Sequence, residues 1–271
     1  MSDKVRERRD KILSNLQLQN VMSVTQLASR LNVSVETIRK DLTEMVKMDL
    51  VTRVHGGVGL TNTTPNGIEL IYQMNKPQKR TVANIAVELI KPGGSIMLED
   101  GSTCYTLAQT LRYEQPELLS TLTVITNSFS VCTLMEMGAL CERLFFLGGL
   151  CDSGRKATLG HFAAQQMANF HVQQLFIAPA GISPSLNVVA YTASDAAFQM
   201  EAIRCADEKI LMTDKSKFLS SCCLNVAPLE SFDHIVTDMT ASNPLMQQLL
   251  RKKLPVYLPE TQKYAYNGGK P

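Results

Sequence analysis

No apolar run in this sequence is long enough to cross a bilayer. The longest, such as "QLFIAPAGI", fall well short of the roughly 20 residues a spanning helix needs. The N-terminus, "MSDKVRERRDKIL", leads into no apolar h-region and does not read as a secretory signal. The seven cysteines, at 104, 132, 141, 151, 205, 222 and 223, form an odd set without a single C-x-x-C. A disulfide framework and a zinc site are therefore not expected, and a reducing cytoplasm is. His161, His171 and His234 are scattered without metal-ligand spacing, so each reads as structural or exposed. Low-complexity stretches and short repeats are also absent. Neither a membrane partner nor a cofactor is expected.

What is present is an ordinary globular composition, 45% hydrophobic and 19% charged over 271 residues, enough for one large or two medium domains. The net charge of +2 is unevenly placed. Residues 1–60 hold ten Lys/Arg against seven Asp/Glu, and the rest hold seventeen against eighteen. Five of the basic residues lie between Lys4 and Lys11. A basic front on a near-neutral body suits a small nucleic-acid module, though on charge alone a solvated charged helix is the plainer reading.

Three helices are expected in the front end. The first runs from about Lys4 to Leu18, with Val5, Ile12, Leu13 and Leu16 on one stripe. Ser23 is placed to cap a second, on which Val24, Leu27, Ala28 and Leu31 share a face. Ser34 is placed to cap a third, with Ile38, Leu42, Met45 and Val46 turned inward. Two short helices joined by a tight turn form a helix-turn-helix. With Ile38 and Leu42 buried, Glu36, Arg39, Lys40, Thr43 and Lys47 fall on or near the opposite face. Cationic donors on a rigid rod suit the major groove, where Arg or Lys pairs with guanine or phosphate; an amphipathic helix with solvent-facing charges is the plainer alternative. The segment "LVTRVHGGVGL" (50–60) then reads as a hairpin wing, placing Arg53, His55 and Gly56 beside the phosphate backbone.

The run "SVTQLASRLNVSVETIRKDLTEMVKMDLVTRVHGGV" resembles the DNA-binding domain of the DeoR family of bacterial transcriptional regulators. Ser34, Thr37, Ile38, Arg39, Asp41 and Leu42 match its recognition-helix pattern, and Arg53, His55, Gly56 and Gly57 its wing. Lys40 stands where a second arginine is commoner, which keeps the charge and loses bidentate geometry. Asp49 stands where a glycine usually ends the helix.

Residues 61–78 read as a linker, with a second half partly helical up to Pro77, and a helix resumes over "KRTVANIAVELIKPGG". Beyond residue 95 short apolar runs alternate with helical segments: "SIML", "LTVI", "RLFFL", "QLFIA", "KILM", "HIV" and "PVYL". That alternation predicts a mostly parallel sheet covered on both faces. Hydroxyl- and glycine-rich clusters follow the runs, at the strand ends where open α/β sheets bind ligands. In "EDGST", Asp100 and Gly101 precede Ser102 and Thr103 at a helix start. Free amides there suit a phosphate or carboxylate, and simple capping by Ser or Thr explains the same residues. Lys217 is a candidate balancing cation, with Lys215 exposed. The expected architecture is α/β: a winged helix-turn-helix over 1–60, a linker over 61–78, a doubly wound, mostly parallel α/β domain over 79–260, and a tail over 261–271.

The order "EDGST … VITNS … LGG … TDKSKF … IVTD" resembles the DeoR C-terminal sensor domain, which is similar to sugar-phosphate isomerases and acyl-CoA transferases and senses phosphorylated sugars or related metabolites. The resemblance implies an effector site at Asp100, Gly101, Ser102, Thr103, Asn127, Ser128, Gly148, Gly149 and Lys217. It also implies a repressor of carbohydrate catabolism that binds a double-stranded DNA operator as a homodimer or homotetramer. Two departures stand out. Where relatives carry two carboxylates, this chain reads Ala178-Pro179-Ala180-Gly181-Ile182-Ser183, and Gln199 and Met200 stand where a basic residue is usual. One polar wall is thus expected to be rebuilt in less polar residues, so that the ligand is either bound with fewer hydrogen bonds or not of the family's usual kind. A second reading is an isomerase-like enzyme with a DNA-binding appendage. Asp100 or Asp214 would be its base, and the missing carboxylates of 178–183 weigh against it.

Overall fold

The computed structural model describes residues 3–18, 21–48, 50–54, 57–60, 72, 75–138, 140–220, 222 and 224–259, and the chain divides between Met74 and Asn75 into two units. The first unit runs α1 (Asp3–Leu18), β1 (Val21–Met22), α2 (Val24–Leu31), α3 (Val35–Lys47), β2 (Val51–Val54) and β3 (Gly57–Leu60). Ser23 starts α2 through a reciprocal cap, its hydroxyl accepting from the Gln26 amide at 3.2 Å while Gln26 Oε1 accepts from the Ser23 amide at 2.8 Å. Asn32 ends α2 in the left-handed region (φ 51°), which its short amide tolerates. Ser34 then accepts from the Thr37 amide at 3.1 Å and starts α3. The strands form an antiparallel sheet in the order β1-β3-β2, with β2 and β3 as the wing hairpin. Gly57 is required there: a Cβ would lie 2.3 Å from the Met22 carbonyl oxygen.

Ile12, Leu13, Leu16, Leu27, Ala28, Ile38, Leu42 and Met45 fill the core as the periodicity predicts. Val46 does not join them and is exposed. The buried stripe of α3 is 38-41-42-45, and Val46 lies about 100° past it. Asp41 takes the place in the stripe, 3% exposed, and its two oxygens receive Arg8 Nε (2.5 Å) and Arg9 Nε (3.1 Å). Two cations of the basic front are thus turned into the core rather than presented outward.

The second unit begins with α4 (Lys76–Val87), and Pro77 lies in its first turn instead of ending a preceding segment. A proline is tolerated there because the first amides of a helix have no partner within it. Then follow β4 (Ser95–Leu98), α5 (Ser102–Glu114), α6 (Pro116–Ser120), β5 (Thr123–Thr126), α7 (Phe129–Glu136), β6 (Arg143–Phe146), β7 (Leu150–Asp152), β8 (Ala157–Leu159), α8 (Gly160–Met167) and β9 (Val172–Ile177). The remainder is β10 (Gly181–Ile182), β11 (Asn187–Ala190), α9 (Ala193–Arg204), β12 (Ala206–Thr213), β13 (Leu224–Pro228), β14 (His234–Thr237), α10 (Pro244–Arg251) and β15 (Val256–Tyr257).

All seven apolar runs become strands of one parallel sheet, ordered β15-β14-β12-β9-β4-β5-β6. Both faces are covered, so successive side chains enter opposite cores. Ile96, Leu98, Phe176, Ile210 and Met212 pack with Val82, Leu107 and Val131 of α4, α5 and α7. Met97, Leu175, Ile177 and Leu211 pack with Ala163, Phe198 and Met246 of α8, α9 and α10. The chain builds β4, β5 and β6 toward one edge, returns to place β9 against β4, and builds outward the other way. The switch therefore falls between β4 and β9, the position where such sheets open a crevice. Two antiparallel pieces lie outside the expectation: the β7–β8 hairpin and a small sheet ordered β10-β11-β13. No described helix is long and apolar enough to cross a membrane.

Candidate functional site

On α3, Glu36, Arg39, Lys40, Thr43 and Lys47 are all exposed, opposite the buried stripe. Arg39 lies 3.8 Å from Glu36 and Lys47 2.8 Å from Glu44, both between exposed partners on the same helix. Such pairs are weak and easily exchanged for a stronger anion. Thr43 Oγ1 donates to the Arg39 carbonyl at 2.8 Å. Ser34 and Thr37 share a hydroxyl hydrogen bond of 2.8 Å within the cap, so both hydroxyls are already engaged at the helix start. Arg53 is exposed on β2. His55 and Gly56 lie outside the described residues, as do Asp49, most of 61–78 and the segment 261–271.

In the second unit, Glu99 and Asp100 leave the end of β4 at the switch. Both are 2% exposed. Asn127, at the end of β5, clips Asp100 from two sides. Its Oδ1 accepts from the Asp100 amide at 2.9 Å, and its Nδ2 donates to Asp100 Oδ1 at 2.9 Å and to the Thr158 carbonyl at 3.0 Å. The other Asp100 oxygen receives Arg155, from Nε at 3.1 Å and Nη2 at 2.7 Å. Arg155 Nη1 also reaches Asp195 Oδ1 in the first turn of α9, where Thr192 and Asp195 form a capping box. Burial opposes the charge on Arg155, and Asp100, Asp195 and Glu99 together raise its pKa above the usual arginine value.

Glu99 is held differently. It accepts from Gln199 Nε2 at 2.7 Å and from the Ala178 amide at 3.2 Å, while burial and the adjacent Asp100 push its pKa well above the carboxylate range. Among the described residues two buried side-chain acceptors remain without a hydrogen-bond donor: Gln199 Oε1 and Asp214 Oδ2. Asp214, after β12, uses its other oxygen to accept from the Ser216 amide at 2.8 Å. Near it lies Lys79 of α4, 4% exposed, its pKa lowered to about 8 by burial and by Lys217, with Asp214 acting in the opposite sense. Lys217 is half-buried at the end of a short 3-10 turn, and Lys215 is exposed. Among the described residues Lys217 forms no ion pair. The half-buried Tyr191 phenol feels the charges of both Lys217 and Arg155, with burial raising its pKa. The polar groups thus form one chain from Lys79, Asp214 and Lys217, past Tyr191, to Arg155, Asp100 and Glu99.

Asp100, Gly101, Ser102, Thr103 and Asn127 are therefore brought together at the switch. Gly101 (φ 120°) is the N-cap of α5, which has no side-chain cap, so Ser102 and Thr103 begin the helix and do not cap it. Ser128 is adjacent, but its hydroxyl accepts from the Val131 amide at 3.3 Å and caps α7. Gly148 and Gly149 are drawn to α8: the Gly148 amide donates to Gln166 Oε1 at 2.8 Å, and a Cβ on Gly149 would meet that of Ala163 at 3.0 Å. The less polar wall expected at 178–183 and 199–200 is corrected in part. Gln199 is 3% exposed and bonded to Glu99, whereas Met200 faces outward. Arg155, Asp195, Glu99, Lys79 and Tyr191 were not singled out by the sequence as site residues. Arg155 lies 55 and 40 residues from its two partners in a run without periodicity, so no local signal announces it.

His161 and His171 are exposed, and His234 pairs with Glu208 at 2.6 Å near the start of β14. Among the described residues no group of His, Cys, Asp or Glu is arranged to hold a metal. Cys223 lies outside the described residues.

Comparison with known proteins points one way. Residues 74–239 match the family model of the DeoR C-terminal sensor domain, and residues 8–64 that of the DeoR-like helix-turn-helix domain. The chain is 28% identical over 236 residues to a putative aga operon transcriptional repressor of Escherichia coli O157:H7, covering 86% of each. It is 26% identical over 257 residues to the transcriptional repressor AccR of Agrobacterium fabrum, covering 92% of this chain and 96% of that one. A lactose phosphotransferase system repressor of Staphylococcus epidermidis is 27% identical over 237 residues, covering 86% and 91%.

Proposed function

The chain belongs to the DeoR family of helix-turn-helix transcriptional regulators, and from that premise we propose that it is a repressor of a carbohydrate-catabolism operon, released when an anionic sugar-derived metabolite fills the switch-point crevice. Arg39 and Lys40 read base edges, Glu36, Thr43 and the Ser34–Thr37 cap border them, and Arg53, His55 and Gly56 touch the backbone. The observation that carries this reading is the division of α3: a stripe buried through Ile38, Asp41, Leu42 and Met45, and an opposite face with Arg39 and Lys40 exposed. A paired operator requires at least two copies, so a homodimer or homotetramer acts, in the cytoplasm where the DNA is.

On the sensing side, the uncapped start of α5 at Gly101, Ser102 and Thr103 offers free amides to an anion, and Lys217 offers an ammonium free of ion pairs among the described residues. Asp100, Asn127, Ser128, Gly148 and Gly149 shape the loops around them. The effector and the operator weaken each other by the same factor. Catalysis is not part of the proposal. Asp100 is held by Arg155 and Asn127, which leaves it no freedom to take a proton from a substrate carbon.

The test is binding of the full chain to fragments upstream of its own gene and its neighbours. The wild type should hold one fragment specifically at physiological salt. A folded Thr37→Ala/Arg39→Ala/Lys40→Ala variant should lose at least about thirtyfold in affinity, at roughly 1–3 kcal/mol for each of the two base-reading side chains. Undiminished binding by that variant refutes the role of α3.

A further inference from the structure

Arg155 is the exposed part of an otherwise buried cluster. Its side chain is 34% exposed, against 2% for Asp100 and 3% for Asp195. A ligand entering at the switch therefore meets the Arg155 side chain before either carboxylate. Of the five N–H donors of an arginine, three are spent on Asp100 and Asp195, and one on each terminal nitrogen remains.

The carboxylates do not cancel what that edge presents. Asp195 sits in the first turn of α9 and Asp100 directly before the N-cap of α5, and each helix start carries roughly half a positive charge. With Glu99 holding its proton, two carboxylates against one guanidinium and two helix ends leave the cluster close to neutral. Beside it, the buried Gln199 Oε1 lacks a donor, and its amide nitrogen is bonded to Glu99, the residue before Asp100. Arg155 thus offers donors to an acid, and Gln199 waits for a hydroxyl.

We propose that Arg155 is a specificity-determining ligand residue that selects a sugar acid, its remaining N–H pair binding the carboxylate while Gln199 Oε1 accepts from a hydroxyl of the same molecule. The assignment rests on the sensing reading above and sharpens it: Lys217 takes any phosphate, past Tyr191, and Arg155 distinguishes the acid from the corresponding aldose phosphate. The planar fork matters, since a carboxylate is bound bidentately by arginine and as a point charge by lysine.

Calorimetric titration of the full chain tests it, with aldonates of four to six carbons, each free and terminally phosphorylated, and aldose phosphates of the same lengths. At least one phosphorylated acid should bind about tenfold or more tighter than its aldose phosphate. Arg155→Lys should remove most of that preference, weakening the acid about tenfold more than the aldose phosphate. Asp195→Asn, which keeps the guanidinium and loosens its hold, should reduce the preference by a smaller factor and serves if the lysine variant does not fold. Aldose phosphates binding as tightly as the acids, or both classes weakening alike in Arg155→Lys, overturns the role of Arg155 and leaves the sensor reading standing. If neither class binds, both fall.

Discussion

The two units bury charge in opposite ways. In the first, a lone buried carboxylate, Asp41, is answered by two arginines, and the groups assigned to function lie outside on α3. In the second, Glu99, Asp100, Asp195 and Asp214 are all buried and share few cations, and among the described residues Asp214 and the neighbouring Gln199 each leave one acceptor without a donor. A reader of DNA needs a rigid rod, and a fully answered buried charge helps to hold one. A sensor needs groups that only its ligand completes, and it carries them at some cost in stability.

The contrast is broken most directly at Asp41. Removing one partner of a buried ion pair typically costs about 3–5 kcal/mol, so Asp41→Ala should destabilise the first unit severely. Urea unfolding followed by a probe in that unit checks it, and a loss below about 1 kcal/mol would mean that Asp41 is no fastening.

Glu99 sharpens the other half with a smaller effect. Its pKa is raised in the folded chain, so the folded state keeps a proton that the unfolded chain releases. That contribution is fully present below the unfolded value and is lost as pH rises toward the folded one. Thermal unfolding between about pH 5 and pH 8 should therefore show Glu99→Gln gaining on the wild type as pH rises. A constant gap would mean Glu99 is ionised throughout.

Smallest is Ser34→Ala. Loss of the α3 cap should cost about 1 kcal/mol and weaken operator binding only modestly, because the apolar stripe still docks the helix. A larger effect on DNA than on stability would show that Ser34 has a partner beyond its own helix.

The parallel sheet was legible because strands covered on both faces are nearly continuous apolar runs, and all seven stood out. The strands of β7, β8 and β10 were not, since two or three residues carry no usable alternation. Within the site, "EDGST" and "TNS" could be read because each keeps its chemistry on one strand-end turn. Arg155 and Asp195 could not, because their meaning lies in partners brought near only by the chain's return to β4, and Gln199 was read as a wall position without its bond to Glu99. Val46 was misplaced for a simpler reason: apolar identity outweighed a stripe that a paired aspartate completes.

One consequence follows from seven strands running the same way. All their carboxyl ends open on a single rim, so the turns there can be exchanged one at a time while the layers beneath stay intact. Under the role proposed for Arg155, a change in the turn between β7 and β8 would retune what this chain responds to, provided that Asp100 and Asp195 keep a cation partner. Diversification among its kin would then be written in short connecting segments, at separate positions, and in small steps.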